Sequence, residues 1–151
     1  MLKPILLVED NPHDLELTLI ALSKSQLANQ VVICRDGAEA LDYLLCRGEY
    51  ASRSAGNPAV VLLDLKLPKV DGLEVLKTVR ETPMLRSMPV VMLTSSKEEQ
   101  DLVRSYELGV NAYVVKPVDF TEFVRAIADL GIFWAVLNEP PPGSLRYIKP
   151  A

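Results

Sequence analysis

Five short runs of apolar residues with no polar alternation constrain this chain more than any other feature: Ile5–Val8, Val31–Cys34, Val60–Leu63, Val90–Leu93 and Tyr113–Val115. Unbroken Val/Ile/Leu runs of strand length suit strands covered on both faces, as in a parallel sheet. Between them lie amphipathic stretches of helical period. Leu15, Leu19 and Leu22 share one face of the first, and Phe123, Ile127, Leu130 and Trp134 share one face of the last. The order is β-α repeated five times. Parallel strands need crossovers, and crossovers are right-handed, so the pattern predicts an α/β fold with a doubly wound five-stranded parallel sheet, expected in the order 2-1-3-4-5 that folds of this size commonly take.

Helix starts are written into the same stretches. Asp36-x-x-Glu39, Asp71-x-x-Glu74, Ser96-x-x-Glu99 and Asp119-x-x-Glu122 match a capping box, in which side chains satisfy the orphan N–H groups of a first turn. Asn11-Pro12 opens the first helix with a capping amide and a proline at the first helical position. Gly109 is placed to close the fourth. Two segments fall outside the repeat. Residues Gly48–Pro58 read as a long polar loop, and Asn138–Ala151 as a Pro/Gly-rich tail that cannot continue a helix. The expected division is a domain over 1–137 and a tail over 138–151.

Composition removes several functions. The net charge is −4 and the basic residues are scattered, which argues against a nucleic-acid surface or a polybasic membrane patch. No apolar stretch approaches the roughly 18 residues that cross a bilayer. Met1–Lys3 is followed by a short apolar run that meets acid at Glu9, which does not resemble a signal peptide. Cys34 and Cys46 are too far apart for a C-x-x-C motif and read as reduced thiols. A cytoplasmic protein is expected.

The chemistry lies in the residues that end the runs. In an open parallel sheet ligands bind beyond the carboxyl ends of the strands, where the winding reverses, here between strands 1 and 3. Strand 1 ends in Glu9-Asp10, strand 3 in Asp64, strand 4 in Thr94 and strand 5 in Lys116-Pro117. Three carboxylates on one rim repel one another, and a hard divalent cation such as Mg²⁺ relieves that while keeping waters and phosphate oxygens in its shell. Asp10 and Asp64 are the expected side-chain ligands, with Glu9 reaching the metal directly or through water. The free oxygen of Asp64 can attack a phosphoryl group, with Lys116 and the Thr94 hydroxyl holding its equatorial oxygens.

The segments Leu6-Leu7-Val8-Glu9-Asp10-Asn11, Leu62-Leu63-Asp64-Leu65-Lys66-Leu67-Pro68 with Asp71-Gly72, Met92-Leu93-Thr94-Ser95-Ser96 and Ala112-Tyr113-Val114-Val115-Lys116-Pro117 together resemble the receiver domain of bacterial two-component response regulators. The resemblance runs from about Lys3 to Trp134. It implies that Asp64 is the phosphoacceptor, that Glu9, Asp10, Asp64 and the Lys66 backbone carbonyl hold Mg²⁺, and that Thr94 and Lys116 bind the phosphoryl group. It implies a switch in which Thr94 moves to the phosphoryl oxygen and the Tyr113 ring turns inward, and a cis bond before Pro117. Lys66 departs from the commoner pattern, since many members carry a neutral side chain there; its ammonium either shields the acyl phosphate or reaches into solvent.

The loop at Gly48–Pro58, the Leu67-Pro68-Lys69 segment and Phe133-Trp134 narrow the likeness to the small regulators paired with phytochrome-type sensor kinases. The partners this implies are a sensor histidine kinase and a protein target, with a homodimer formed through the helix 4–strand 5–helix 5 face. Only a short tail follows the last helix, so output by protein–protein contact is expected. Competing readings fare worse. A phosphatase of the haloacid dehalogenase type wants a second aspartate two positions after its nucleophile, where this chain has Lys66 or Pro12. A flavodoxin-like or dinucleotide-binding module wants a glycine-rich loop after strand 1, where this chain has Glu9-Asp10-Asn11-Pro12. His13 reads as a solvated residue of a first helical turn.

Overall fold

The computed structural model describes residues 3–24, 29–54, 56–95, 97–116 and 121. Within them the chain runs β1 (Ile5–Val8), α1 (Pro12–Lys24), β2 (Val31–Cys34), α2 (Gly37–Leu44), a 3₁₀ turn (Gly48–Tyr50), β3 (Val60–Leu63), α3 (Gly72–Glu81), β4 (Val90–Thr94), α4 (Glu99–Glu107) and β5 (Ala112–Val115). All strand pairs are parallel and the order is 2-1-3-4-5, as expected. The expected fifth helix, the 138–151 tail, the Asp119 cap and Pro117 lie outside the described residues.

The three central strands are buried from end to end, and their side chains alternate between two cores. Leu6, Val8, Val61, Leu63 and Met92 face a cluster completed by α2 and α3, among them Leu41, Val75, Leu76 and Val79. Ile5, Leu7, Val60, Leu62, Val91 and Leu93 face the other side, with Leu15 and Leu22 of α1. Each large side chain so buried contributes roughly 1.5–3 kcal/mol. The outer strands differ from the expectation of burial on both faces. Three of the four residues in β2 and in β5 are only partly buried, because an edge strand has a neighbour on one side alone.

Helix starts follow the sequence in three cases. Asn11 Oδ1 accepts from the N–H groups of His13 (2.9 Å) and Asp14 (3.0 Å). Asp36 and Asp71 accept from the Glu39 and Glu74 N–H groups at 2.7 and 3.0 Å. In α2 the reciprocal bond is shifted by one residue: Glu39 accepts from the Arg35 N–H, not from that of Asp36. The fourth start is a correction. The helix begins at Glu99, with Glu98 as an N-cap that makes no side-chain capping bond, later than the box predicts; Ser96 itself lies outside the described residues. At the other end Gly109 adopts a φ of +92° and closes the helix through Val110 N–H to Ser105 O (3.0 Å).

Two glycines bring helices against the rim. A Cβ at Gly72 would lie 2.2 Å from the Asp64 carbonyl oxygen, and one at Gly37 would lie 1.8 Å from that of Val70. The stretch 48–58 is more organised than a polar loop. After the 3₁₀ turn the Arg53 guanidinium sits 4.1 Å from the centre of the Tyr43 ring and donates to the Tyr43 carbonyl at 2.9 Å. Tyr50 meets Tyr43 edge-to-face and donates to Glu39 at 2.6 Å, which pushes the phenol well above its usual range. Such contacts join residues distant in sequence, and no local pattern announces them.

Candidate functional site at the strand ends

The strand ladders continue for one residue past β1, β3 and β5, and this sets the level of the site. Glu9 N–H donates to Cys34 O at 3.0 Å, Asp64 N–H to Val8 O at 3.1 Å and Lys116 N–H to Thr94 O at 2.8 Å. With Val8 opposite Leu63 and Thr94 opposite Val115, the polar residues after the apolar runs stand side by side on the same rim. They are buried as well as close. Glu9 is 2% exposed and Asp64 6%, Thr94 is fully buried, and the Lys116 side chain is 7% exposed.

Carboxylate oxygens of Glu9, Asp10 and Asp64 lie within 4.8 Å of one another. The Lys116 ammonium donates to Glu9 at 2.5 Å, to Asp14 at 3.0 Å and to Asp64 at 3.1 Å. The other Glu9 oxygen accepts from the Asn11 N–H at 3.2 Å, so this side chain is held from two directions. Burial pushes the Glu9 carboxyl up to about 7; the Lys116 bond pulls it down and neighbouring Asp64 pushes it up again. For Lys116 burial pulls the ammonium down, but bonds to Glu9 and Asp14 and the charge of Asp64 outweigh it, and its pKa stands above the usual lysine value.

One ammonium is bonded to three carboxylates, Glu9, Asp14 and Asp64, and Asp10 adds a fourth carboxylate beside two of them. The excess negative charge is concentrated on Glu9, Asp10 and Asp64, whose donors are all hard oxygens with room for a common ligand. That donor set fits a divalent cation of the Mg²⁺ or Mn²⁺ kind and does not fit a soft, thiolate-seeking one. Asp64 combines metal-ligating position, burial and a partner ammonium, the combination a carboxylate nucleophile toward phosphorus requires.

The structure thus brings Glu9, Asp10, Asp64, Thr94 and Lys116 to one rim. Lys66 divides. Its N–H points to Asp64 Oδ1 at 3.4 Å, while its side chain is 71% exposed and its ammonium lies 3.9 Å from Asp101 on α4. Of the two orientations open for this lysine, the structure has the one directed outward. Tyr113 is half-buried against the α2–α3 core, opposite Met92. His13 is exposed, as expected of a first-turn residue. Asp14 is the residue that sequence reasoning missed. The available signal was its place four residues after Asp10 in the first turn of a helix that starts at the rim.

A family model for the response regulator receiver domain matches residues 5–128. The response regulator Rcp1 of Synechocystis sp. is 40% identical over 132 residues, which span 87% of this chain and 88% of that protein. Among solved structures, the bacteriophytochrome response regulator RtBRR is 72% identical, with a TM-score of 0.84 over 97% of this chain and 88% of that one. The Mn²⁺-bound form of Rcp1 is 39% identical, with a TM-score of 0.74 over 91% and 96%. The phosphorylated cyanobacterial phytochrome response regulator RcpA is 42% identical, with a TM-score of 0.74 over 89% and 94%.

Proposed function

The chain belongs to the response regulator receiver family, and from that premise we propose that it accepts a phosphoryl group on Asp64 from a phytochrome-type sensor histidine kinase. The observation that carries this reading is the Lys116 ammonium bonded to Asp64 and Glu9 inside a buried carboxylate cluster. The similarity to RtBRR and to the phytochrome regulator RcpA supports the kind of kinase.

Mg²⁺ is the proposed cation, held by Glu9, Asp10, Asp64 and the Lys66 backbone carbonyl; it supplies charge neutralisation for the incoming phosphoryl oxygens. An Asp64 oxygen forms the new bond to phosphorus as the phosphorus–nitrogen bond of the donor phosphohistidine breaks, and the imidazole leaves with the electron pair. Lys116 and the Thr94 hydroxyl bind the transferred group. The protein is a signalling switch; it promotes only its own phosphorylation and slow dephosphorylation. Tyr113 follows Thr94 between two positions, and the receiver unit is the one expected over 1–137. The exposed α4 residues Leu102, Val103 and Tyr106 support the part of the expected homodimer face that α4 and β5 provide; its third element lies outside the described residues. No helix among the described residues is long and apolar enough to cross a membrane, which is in keeping with a cytoplasmic place.

Intact mass after incubation with Mg²⁺ and acetyl phosphate tests the reading. A single phosphoryl adduct is expected in the wild type with metal, and none in Asp64→Asn or without metal. An adduct that persists in Asp64→Asn would remove Asp64 as the acceptor.

A further inference from the structure

Lys116 has three carboxylate partners, and they are not equivalent. Glu9 and Asp64 belong to the group that closes within 4.8 Å; Asp14 does not. Asp14 comes from a different element, the first turn of α1, where Asn11 Oδ1 caps its N–H at 3.0 Å and fixes its backbone. Its side chain is 30% exposed, against 2% for Glu9 and 8% for Asp64. A cation drawn to the triad competes for the oxygens of Glu9 and Asp64 and repels an ammonium beside them. It does not compete for Asp14.

We propose that Asp14 is a positioning residue: its carboxylate retains the Lys116 ammonium at the rim when Glu9 and Asp64 are engaged by a divalent cation, so that the ammonium meets the phosphoryl group on Asp64. The inference rests on the receiver reading given above. A lysine is a point charge on a flexible stem with three rotatable donors, and without a fixed partner its head is free to swing away from the reacting atoms. A charged partner on a separate, capped helix end limits that freedom before the reaction begins. A carboxylate in a first helical turn is also favoured by the helix dipole, which needs no Lys116. The two roles separate experimentally.

The test is a double-mutant cycle on phosphorylation by acetyl phosphate at saturating Mg²⁺, read by intact mass, with wild type, Asp14→Ala, Lys116→Ala and the double variant. Asp14→Ala is expected to slow adduct formation on the order of tenfold. Adding it to Lys116→Ala is expected to slow the reaction no further, and Asp14→Glu is expected to recover most of the loss. Beryllofluoride, a phosphoryl mimic, should bind Asp14→Ala more weakly by a similar factor in ¹⁹F NMR with Mg²⁺ present. Melting curves establish that each variant is folded, and Asp14→Asn, which keeps the shape and removes the charge, replaces Asp14→Ala if the latter is not. The proposal is overturned if folded Asp14 variants react within about twofold of wild type, or if the Asp14 and Lys116 losses multiply as independent effects do. A wild type that takes up neither phosphoryl group nor beryllofluoride overturns the receiver reading itself, a result distinct from an active wild type with indifferent Asp14 variants.

Discussion

The two ends of the sheet each hold a cation among acceptors, and they hold it in opposite ways. At the carboxyl end Lys116 is surrounded by carboxylates on β1, α1 and β3 exits. At the amino end Arg80, in the last turn of α3, gives its donors to neutral oxygens: the carbonyls of Gly109, Arg86 and Met88 and the Asn111 side chain, at 2.7–2.9 Å. Asn111 Oδ1 also accepts from Val90 N–H at 2.8 Å, so this one guanidinium ties α3, the start of β4 and the α4–β5 turn. Burial lowers the Arg80 pKa, whereas carboxylates raise that of Lys116. A cation bound to fixed backbone dipoles is a brace, since those dipoles have no other ligand to seek. A cation bound to carboxylates is exchangeable, because a metal or a phosphoryl group competes for one partner or the other.

That contrast can be broken most severely at Lys116. Lys116→Ala should slow phosphorylation by acetyl phosphate about 10²–10³-fold, the usual effect of losing one donor to developing charge. Calorimetry should find Mg²⁺ bound at least as tightly, because a competing cation has gone. Arg80→Ala is expected to do the reverse: a loss of about 1–2 kcal/mol in chemical denaturation, from four hydrogen bonds given up, of which only the one to the Met88 carbonyl is partly buried, with phosphorylation of the folded protein unchanged. Arg80→Lys should restore little of it, since an ammonium cannot reproduce a planar fork of donors.

The pH dependence sharpens the same contrast. The Glu9 carboxyl stands at about 7 in the fold against an ordinary 4.5. Between those values the folded state holds a proton that the unfolded state has released, so stability without metal should fall as pH rises through this window. Below 4.5 both states are protonated, and the penalty is absent. In Glu9→Gln the decline should be shallower, as urea titrations at pH 4.5, 6 and 8 would reveal; an unchanged slope would place the effect elsewhere. The smallest effect is expected at Lys66, whose exposed pairing with Asp101 is worth about 0–1 kcal/mol and should fade in high salt. A larger loss in Lys66→Ala would mean that α4 leans on this contact.

How far the sequence reaches depends on the range of the interaction that writes each feature. Strand runs, the Asn11, Asp36 and Asp71 caps and the closing Gly109 are local, because backbone periodicity and end-group satisfaction involve residues a few positions apart. The site was legible for a related reason. In a parallel α/β sheet every strand exits on the same side, so the residues that end the apolar runs must meet whatever the crossovers do in detail. Glu9, Asp10, Asp64, Thr94 and Lys116 follow from that rule.

What the rule cannot reach is direction within the rim and across elements. The start of α4 at Glu99, two residues beyond the start expected from its box, escaped because a capping-box spacing does not by itself fix which residue takes the cap. The outward turn of Lys66 depends on where α4 places Asp101. The 48–58 stretch is organised by Tyr43, Tyr50, Glu39 and Arg53, whose ring and hydrogen-bond contacts exist only once α2 has docked. Sequence alone determined the α/β order, the sheet and the set of charges at its carboxyl edge, since these are fixed by short-range periodicity and one topological rule. Tertiary structure alone decided that Lys116 takes Asp14 as its third partner and that Arg80 braces the far end, since each joins residues through space, across packed helices, at separations that leave no periodic mark.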